Sequence, residues 1–241
     1  GKGRYTKRDG QAYGYAGGIR NDGTVIMNGG KIQDNVAMYY GQGISRDESS
    51  MARGAGVYNA GTFTMNGGSI ANNICYDNIT RMAYSGGGGI YNTGSLSIYG
   101  GTFSENKAGM GGAIYNEGYC IIDGADVLIN KNSAESTIST AGNSSGGGIY
   151  VAAGTVELKE GTLSNNRAHN TASTGMENNS NTIHQGNGGA VHVANTGTKE
   201  APATFIMSGG TIKGNYAYGN TGKEGSYVRC GGGIFIQGGT G

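Results

Sequence analysis

The stretch that decides the fold is Gly87 to Ala108, GGGIYNTGSLSIYGGTFSENKA. After the glycine run come Ile90-Tyr91-Asn92, a Gly94-Ser95 turn, and Leu96 and Ile98 alternating with Ser95, Ser97 and Tyr99. Gly100-Gly101 makes another corner, and Phe103-Ser104-Glu105-Asn106 leads to Ala108. A new glycine run follows at once, so that Ile114 stands 24 residues after Ile90. This spacing is too short for three helices and fits three short strands, each ended by a glycine corner. Such a unit cannot bury its apolar side alone. Copies must stack, and period-two alternation makes the stack a β-solenoid.

The same pattern recurs on both sides. Upstream it reads GGIRNDGTVIMNGGKIQDNVA from Gly17 and GAGVYNAGTFTMNGGSIANNIC from Gly54. Downstream it reads GGAIYNEGYCIIDGADVLINKNSA from Gly111, with two extra residues near Asp126, and GGGIYVAAGTVELKEGTLSNNRA from Gly146. A further copy opens with GGAVHV at Gly188, is interrupted around Pro202 and resumes as TFIMSGGTIKGNYA, before GGGIFIQGG begins the last. The fold read from this is all-β: one parallel β-helix over residues 1–241, of about six turns, with three short strands per turn and long loops at one corner. The chain opens at Gly1 and closes at Gly241 inside the pattern, and is expected to be a segment of a longer solenoid.

Stacking the copies predicts ladders of like residues, each side chain above its equivalent. The inward slot of the first strand holds Ile19, Val57, Ile90, Ile114, Ile149, Val191 and Ile234. The second strand supplies Val25, Phe63, Leu96, Cys120, Val156 and Phe205, with Met27, Met65, Ile98, Ile122, Leu158 and Met207 two residues on. The third supplies Ile32, Ile70, Phe103, Ile129, Leu163 and Ile212. Two asparagine ladders mark corners: Asn35, Asn73, Asn106, Asn132, Asn166 and Asn215, and the shorter Asn21, Asn59, Asn92 and Asn116. An amide both donates and accepts, so stacked asparagines can pair with one another and with corner backbone groups.

Composition agrees. The 241 residues include 51 glycines, about three times the usual share, as many tight corners require. Charged residues make up 14% and the formal net charge is +1, which gives no general electrostatic basis for nucleic acid or a membrane surface. No apolar run is long enough to span a bilayer as a helix. Cys75, Cys120 and Cys230 fall in different repeats and perimeter slots, too far apart for disulfides, and Cys120 takes a core slot. The long additions, roughly 38–53, 76–86, 135–145, 169–187 and 218–230, all enter between the Asn-x-Ala motif and the next glycine run. Insertions gathered on one edge of a solenoid are where a binding surface is built.

Gly111 to Ile114, Gly188 to Val191 and the Phe-x-x-Asn motif of Phe103 to Asn106 resemble the repeats of chlamydial polymorphic outer membrane proteins. More broadly, the chain is similar to bacterial right-handed parallel β-helix repeat proteins. The resemblance implies a right-handed coil and a secreted or surface-displayed, adhesin-like stalk. The coil also resembles that of pectate lyases and related glycan-cleaving enzymes, which implies looking for clustered carboxylates on an outer strand face.

That search finds Asp123, Glu157 and Lys159 as the charged neighbours on the second strand, a grouping that reads as an exposed ion pair. His169 and His184 share a loop without cysteine or clustered carboxylate partners, so neither metal nor other cofactor is expected. Outward threonines are interrupted by Ile26, Tyr119, Ile121, Glu157 and Lys159, which breaks the flat array an ice-binding face needs. The remaining outward feature is a row on the first strand: Tyr58, Tyr91, Tyr115 and Tyr150, continued by His192 and Phe235. Exposed rings in a row can stack on sugars, making Tyr58, Tyr91, Tyr115, Tyr150 and His192 the candidate ligand-binding residues; the same rings can instead cover the strand by packing on one another.

The function expected is a non-enzymatic surface module, extracellular or on the bacterial cell, binding a glycan or protein of a host or neighbouring cell through the corner loops and the tyrosine row. The alternative is a polysaccharide lyase or hydrolase whose catalytic turn lies outside these residues. No nucleic acid partner and no membrane insertion are expected. The uncovered strand Ile234-Phe235-Ile236 predicts end-to-end self-association.

Overall fold

The computed structural model describes residues 5–8, 11–39, 51–77, 85–136, 144–170, 183–184, 186–194, 202–218, 220–221 and 231–237. They form a parallel β-helix. The first sheet stacks Ile19–Asn21, Val57–Asn59, Ile90–Asn92, Ile114–Asn116, Ile149–Val151, Val191–Val193 and Ile234–Ile236. The second stacks six strands from Thr24–Met27 to Thr204–Met207, and the third six from Lys31–Gln33 to Thr211–Lys213. Every slot of the three ladders pairs with its equivalent on the neighbouring turn: Ile90 with Val57 and Ile114, Leu96 with Phe63 and Cys120, Phe103 with Ile70 and Ile129. The two extra residues of the fourth copy are taken up in a turn at Ala125 and Asp126, leaving Leu128–Asn130 in register with Thr102–Ser104.

The turn carries one strand more than the three expected. After the asparagine corner the chain stays extended as Val36–Tyr39, Ile74–Asp77, Lys107–Ala108, Ser133–Ser136, Arg167–Asn170 and Tyr216–Tyr218, and these make a fourth six-stranded sheet. Its inner slot holds only small residues, Ala37, Cys75, Ala108, Ala134 and Ala168, all buried, because the glycine run of the next turn packs close behind them. An added Cβ at Gly88 would lie 2.6 Å from the Lys107 carbonyl oxygen, which is why the middle of the run carries no side chain. The main core lies inside the first three sheets, with Phe63, Phe103, Met65 and the middle isoleucines Ile70, Ile90, Ile114, Ile129 and Ile149 fully buried. Cys120 is a buried free thiol among them, its pKa pushed up to about 12 by burial. Cys75 is likewise buried, and Cys230 lies outside the described residues.

The asparagine corner is what lets the chain turn so sharply without orphaned polar groups. The residue before each ladder asparagine is left-handed: Asp34, Asn72, Glu105, Lys131 and Asn165 have φ between 53° and 58°, and Gly214 has 62°. For Glu105 and Lys131 that conformation costs about 1 kcal/mol each. The next side chain compensates. Asn106 Nδ2 donates to Asn132 Oδ1 at 2.9 Å and to the Ile70 carbonyl at 2.8 Å. Its Oδ1 accepts from Asn73 Nδ2 at 2.9 Å and from the Asn73 backbone N–H at 3.1 Å. All four hydrogen-bonding positions of one amide are thus filled, and three turns are tied together. The second ladder runs the same way, with Nδ2 to Oδ1 distances of 2.7 Å from Asn21 to Asn59, Asn92 and Asn116, and ends where Val151 joins the apolar core.

A fifth, narrow sheet lies at the loop corner, where the chain returns to the coil. Gln11–Tyr15, the second strand of an antiparallel hairpin with Tyr5–Arg8, pairs with Ala52–Arg53, which pairs with Ser85–Gly86. Single bridges through Met110 carry the ladder on to Ser144–Ser145, and that strand pairs with Gly186–Asn187. The loops are therefore shorter than the sequence implied: Met38–Tyr39, Ala52–Arg53, Ser85–Gly86, Ser144–Ser145 and Gly186–Asn187 are strand.

Replacing Asn106 by Ala is expected to lower stability by about 1 to 3 kcal/mol, since buried backbone partners lose their bonds. Replacing Asn66, whose amide pairs with Asn28 on an exposed corner, is expected to cost no more than about 0.5 kcal/mol. Denaturant unfolding of both variants checks the ladder; equal shifts in midpoint would contradict it.

Candidate functional site

The tyrosine row is continuous, and it is covered. Because the first sheet is in register, Tyr58, Tyr91, Tyr115, Tyr150, His192 and Phe235 sit one above another. Successive ring centroids are 5.6, 4.5, 5.1, 5.0 and 5.1 Å apart. The four tyrosines are stacked within 24° of parallel, the geometry that adds about 1 kcal/mol per pair to area burial. Tyr15 closes the upstream end edge-on to Tyr58 at 4.7 Å.

Of the two readings of this row, ring-on-ring packing is the one the structure shows, and exposure to solvent is corrected. Tyr91 is 0% exposed, and Tyr58, Tyr115, Tyr150 and His192 are buried with it. The cause is the fifth sheet, which returns from the corner loops across the outer face of the first. Met51, Ala152 and Ala194 pack on the rings, with Tyr15, Ala16 and Met110 at the margin. Gly86 lies so close that a Cβ there would meet Tyr115 Cδ2 at 2.8 Å and Tyr91 Cε2 at 3.1 Å. The column is a second core between coil and loop anchors, and its ring faces are occupied by one another.

Polar groups at the margin fit this role. The Tyr91 hydroxyl donates to Glu117 Oε1 at 2.7 Å, and burial raises the Tyr91 phenol pKa far above its ordinary value. The Arg53 guanidinium lies 5.2 Å from the Tyr91 ring centre and 5.8 Å from that of Tyr15, and Arg20 lies 5.2 Å from Tyr15 and 5.5 Å from Tyr58. Both are within cation–π range of these rings. Sequence reasoning missed Tyr15, Arg53 and Met110 as neighbours of the column. The signal was present: each stands four residues before the first inward residue of its turn, Ile19, Val57 or Ile114.

His192 is the weak point. Neither ring nitrogen has a hydrogen bond among the described residues, although the Gln237 side chain is close enough to act on its charge. Burial holds its pKa down to about 4.

The other candidates are spread around the perimeter. Asp123 pairs with Lys159 at 3.7 Å on the exposed corner after the second sheet. His169 is on the outer face of the fourth sheet, 5.4 Å from the Tyr218 ring and next to Arg167, which pairs with Glu135. Desolvation and the Arg167 charge lower its pKa. The side chain of His184 lies outside the described ones, and no described group of three or more His, Cys, Asp or Glu residues could hold a metal ion. The long insertions 40–50, 78–84, 137–143 and 171–182 lie outside the described residues; in sequence each follows a fourth-sheet strand and precedes a fifth-sheet strand.

Residues 100–117 match the family model of the Chlamydia polymorphic membrane protein repeat. The match covers the Phe-x-x-Asn corner of Phe103 to Asn106, the return through Met110 and the next first-sheet strand, so this stretch of the coil resembles that family's repeat in sequence. No curated protein and no solved structure matches the chain.

A histidine whose pKa is about 4 folded and near 6.5 unfolded binds its proton more readily in the unfolded chain. Stability is therefore full above pH 6.5 and falls as the pH drops toward 4, by up to about 3 kcal/mol. His192→Phe is expected to remove most of this dependence, read as melting temperature against pH from 7 to 4. The same slope in the variant would contradict the assignment.

Proposed function

We propose, from a coil whose repeats resemble those of the Chlamydia polymorphic membrane proteins, that the chain is a surface-displayed, adhesin-like module that binds a host or neighbouring cell through its corner loops. The observation that carries this reading is the division of labour around the perimeter. Four sheets repeat with fixed register, while insertions of different length leave at one edge, each held at both ends by strands. Repeat three has almost no insertion there, passing from Ala108 through Gly109 and Met110 into the next glycine run. A rigid scaffold with variable loops on one edge suits recognition, because the coil fixes where loops stand and tolerates what they contain. The ring column contributes by anchoring the loop ends to the coil.

The test is adhesion of beads coated with the chain to epithelial and bacterial cells. Replacing residues 171–182 or 40–50 by Gly-Ser linkers of equal length is expected to leave far-ultraviolet circular dichroism unchanged and to cut adhesion at least fivefold for one of them. Absence of adhesion by the unaltered chain, or adhesion indifferent to both replacements, contradicts the reading.

A further inference from the structure

Among the described residues of the second to fifth turns, two large apolar side chains are well exposed: Tyr99, 47%, and Tyr119, 40%. The other exposed ones are on the first turn, as Ile26 and Met38, or on the last two, from Ile206 to Ile236. Both tyrosines belong to one surface. Tyr119 begins the second-sheet strand Tyr119–Ile122, and Tyr99 follows the adjacent strand Ser95–Ile98. Ser95 pairs with Tyr119 and Ile98 with Ile122, so Tyr99 stands beside Asp123 at the far end of the same face. Four residues of strand separate the two ring positions, about 13 Å.

The ground between them is polar and nearly neutral. Ser95 and Ser97 on one turn and Thr155 on another give hydroxyls, with Ile121 flat between. Glu157 pairs with Ile121 in register, and its carboxylate reaches the Tyr119 hydroxyl. Asp123 is held by Lys159 at 3.7 Å. Two carboxylates and one ammonium do not attract a polyanion, which argues against nucleic acid, sulfated glycan or an anionic membrane. The large exposed apolar groups described on this face are two separate rings, Tyr99 and Tyr119, and not the clustered apolar anchors that hold a protein partner. A neutral sugar chain has what the face lacks: C–H faces that lie on tyrosine rings, and paired hydroxyls that donate to carboxylates and accept from serine and threonine.

We propose that the outer face of the second sheet on turns three to five binds a neutral oligosaccharide, stacked on Tyr119 and Tyr99 and hydrogen-bonded through Glu157 and Asp123. Lys159 holds Asp123 in place. This deepens the surface-module reading and rests on it. It also moves the sugar-stacking rings from the first sheet, where they are covered, to the second.

The experiment presents the purified chain with neutral β-linked hexasaccharides of glucose, galactose and N-acetylglucosamine, a heparin hexasaccharide, and phosphatidylglycerol vesicles. Saturation-transfer NMR reads contact, and titration reads affinity. At least one neutral hexasaccharide is expected to bind, with a Tyr99→Ala, Tyr119→Ala double variant weakened tenfold or more and Glu157→Gln weakened at least threefold. Tyr216→Ala, Tyr218→Ala is the control and is expected to bind as the parent does; circular dichroism confirms that the coil persists in each. Binding of heparin or vesicles only, no binding of any neutral hexasaccharide, or binding unaffected by the double variant overturns the proposal. Bead adhesion by an unaltered chain that binds no neutral hexasaccharide overturns the sugar site and leaves the loop-borne function standing.

Discussion

Everything in this molecule depends on each residue standing above its equivalent one turn away. A parallel coil satisfies its strands by main-chain bonds between turns, but its corners would leave polar groups unpaired. The asparagine at the third-sheet corner resolves this by bonding to the turn before and the turn after at once, as Asn106 does with Ile70, Asn73 and Asn132. That bonding fixes the rise between turns. A fixed rise in turn lets apolar residues stack as continuous columns, isoleucine on isoleucine inside and tyrosine on tyrosine outside. The left-handed residues before the asparagines, Glu105 and Lys131 among them, are tolerated because this bonding over-determines the corner.

The outer column changes what the first sheet is for. A β-solenoid with a single core would leave that face in water. Here the return strands of the fifth sheet close over it, and the rings become the material between a repeating scaffold and segments that do not repeat. The glycines follow from that contact. Gly86 lies on two rings, and Gly87, with φ of 67°, turns the chain back into the coil where a Cβ would sit 2.3 Å from the Ile90 carbonyl oxygen. The cost of the column falls at His192, which continues the stack but buries two polar nitrogens where a phenol would have kept its hydroxyl at the margin.

The inner ladders and both asparagine ladders were legible in the sequence because period two within strands and identity between copies are the same constraint seen twice. The fourth strand was harder. Its inner slot, Ala37, Cys75, Ala108, Ala134 and Ala168, recurs as the Asn-x-Ala motif but is one small residue with no alternation around it, and its outer slot, Val36, Ile74, Lys107, Ser133, Arg167 and Tyr216, shares no chemistry. The fifth sheet has two-residue strands as different as Ala52–Arg53 and Ser144–Ser145, which join their neighbours by backbone pairing whatever their side chains. Alternation says which side of a strand a residue is on; it does not say what lies against that side. Hence Tyr91 and Tyr119, both outward by pattern, differ completely: one is covered by the return strands and the other is open to water.

That contrast gives the most direct measurement. Brief nitration or iodination of the folded chain, followed by peptide mass spectrometry, reads the accessibility of each tyrosine. The account predicts rapid modification of Tyr99 and Tyr119, with Tyr58, Tyr91, Tyr115 and Tyr150 protected until the chain is unfolded. Modification of Tyr91 and Tyr115 at the rate of Tyr99 would mean that no fifth sheet covers the column, and would contradict the account at its centre.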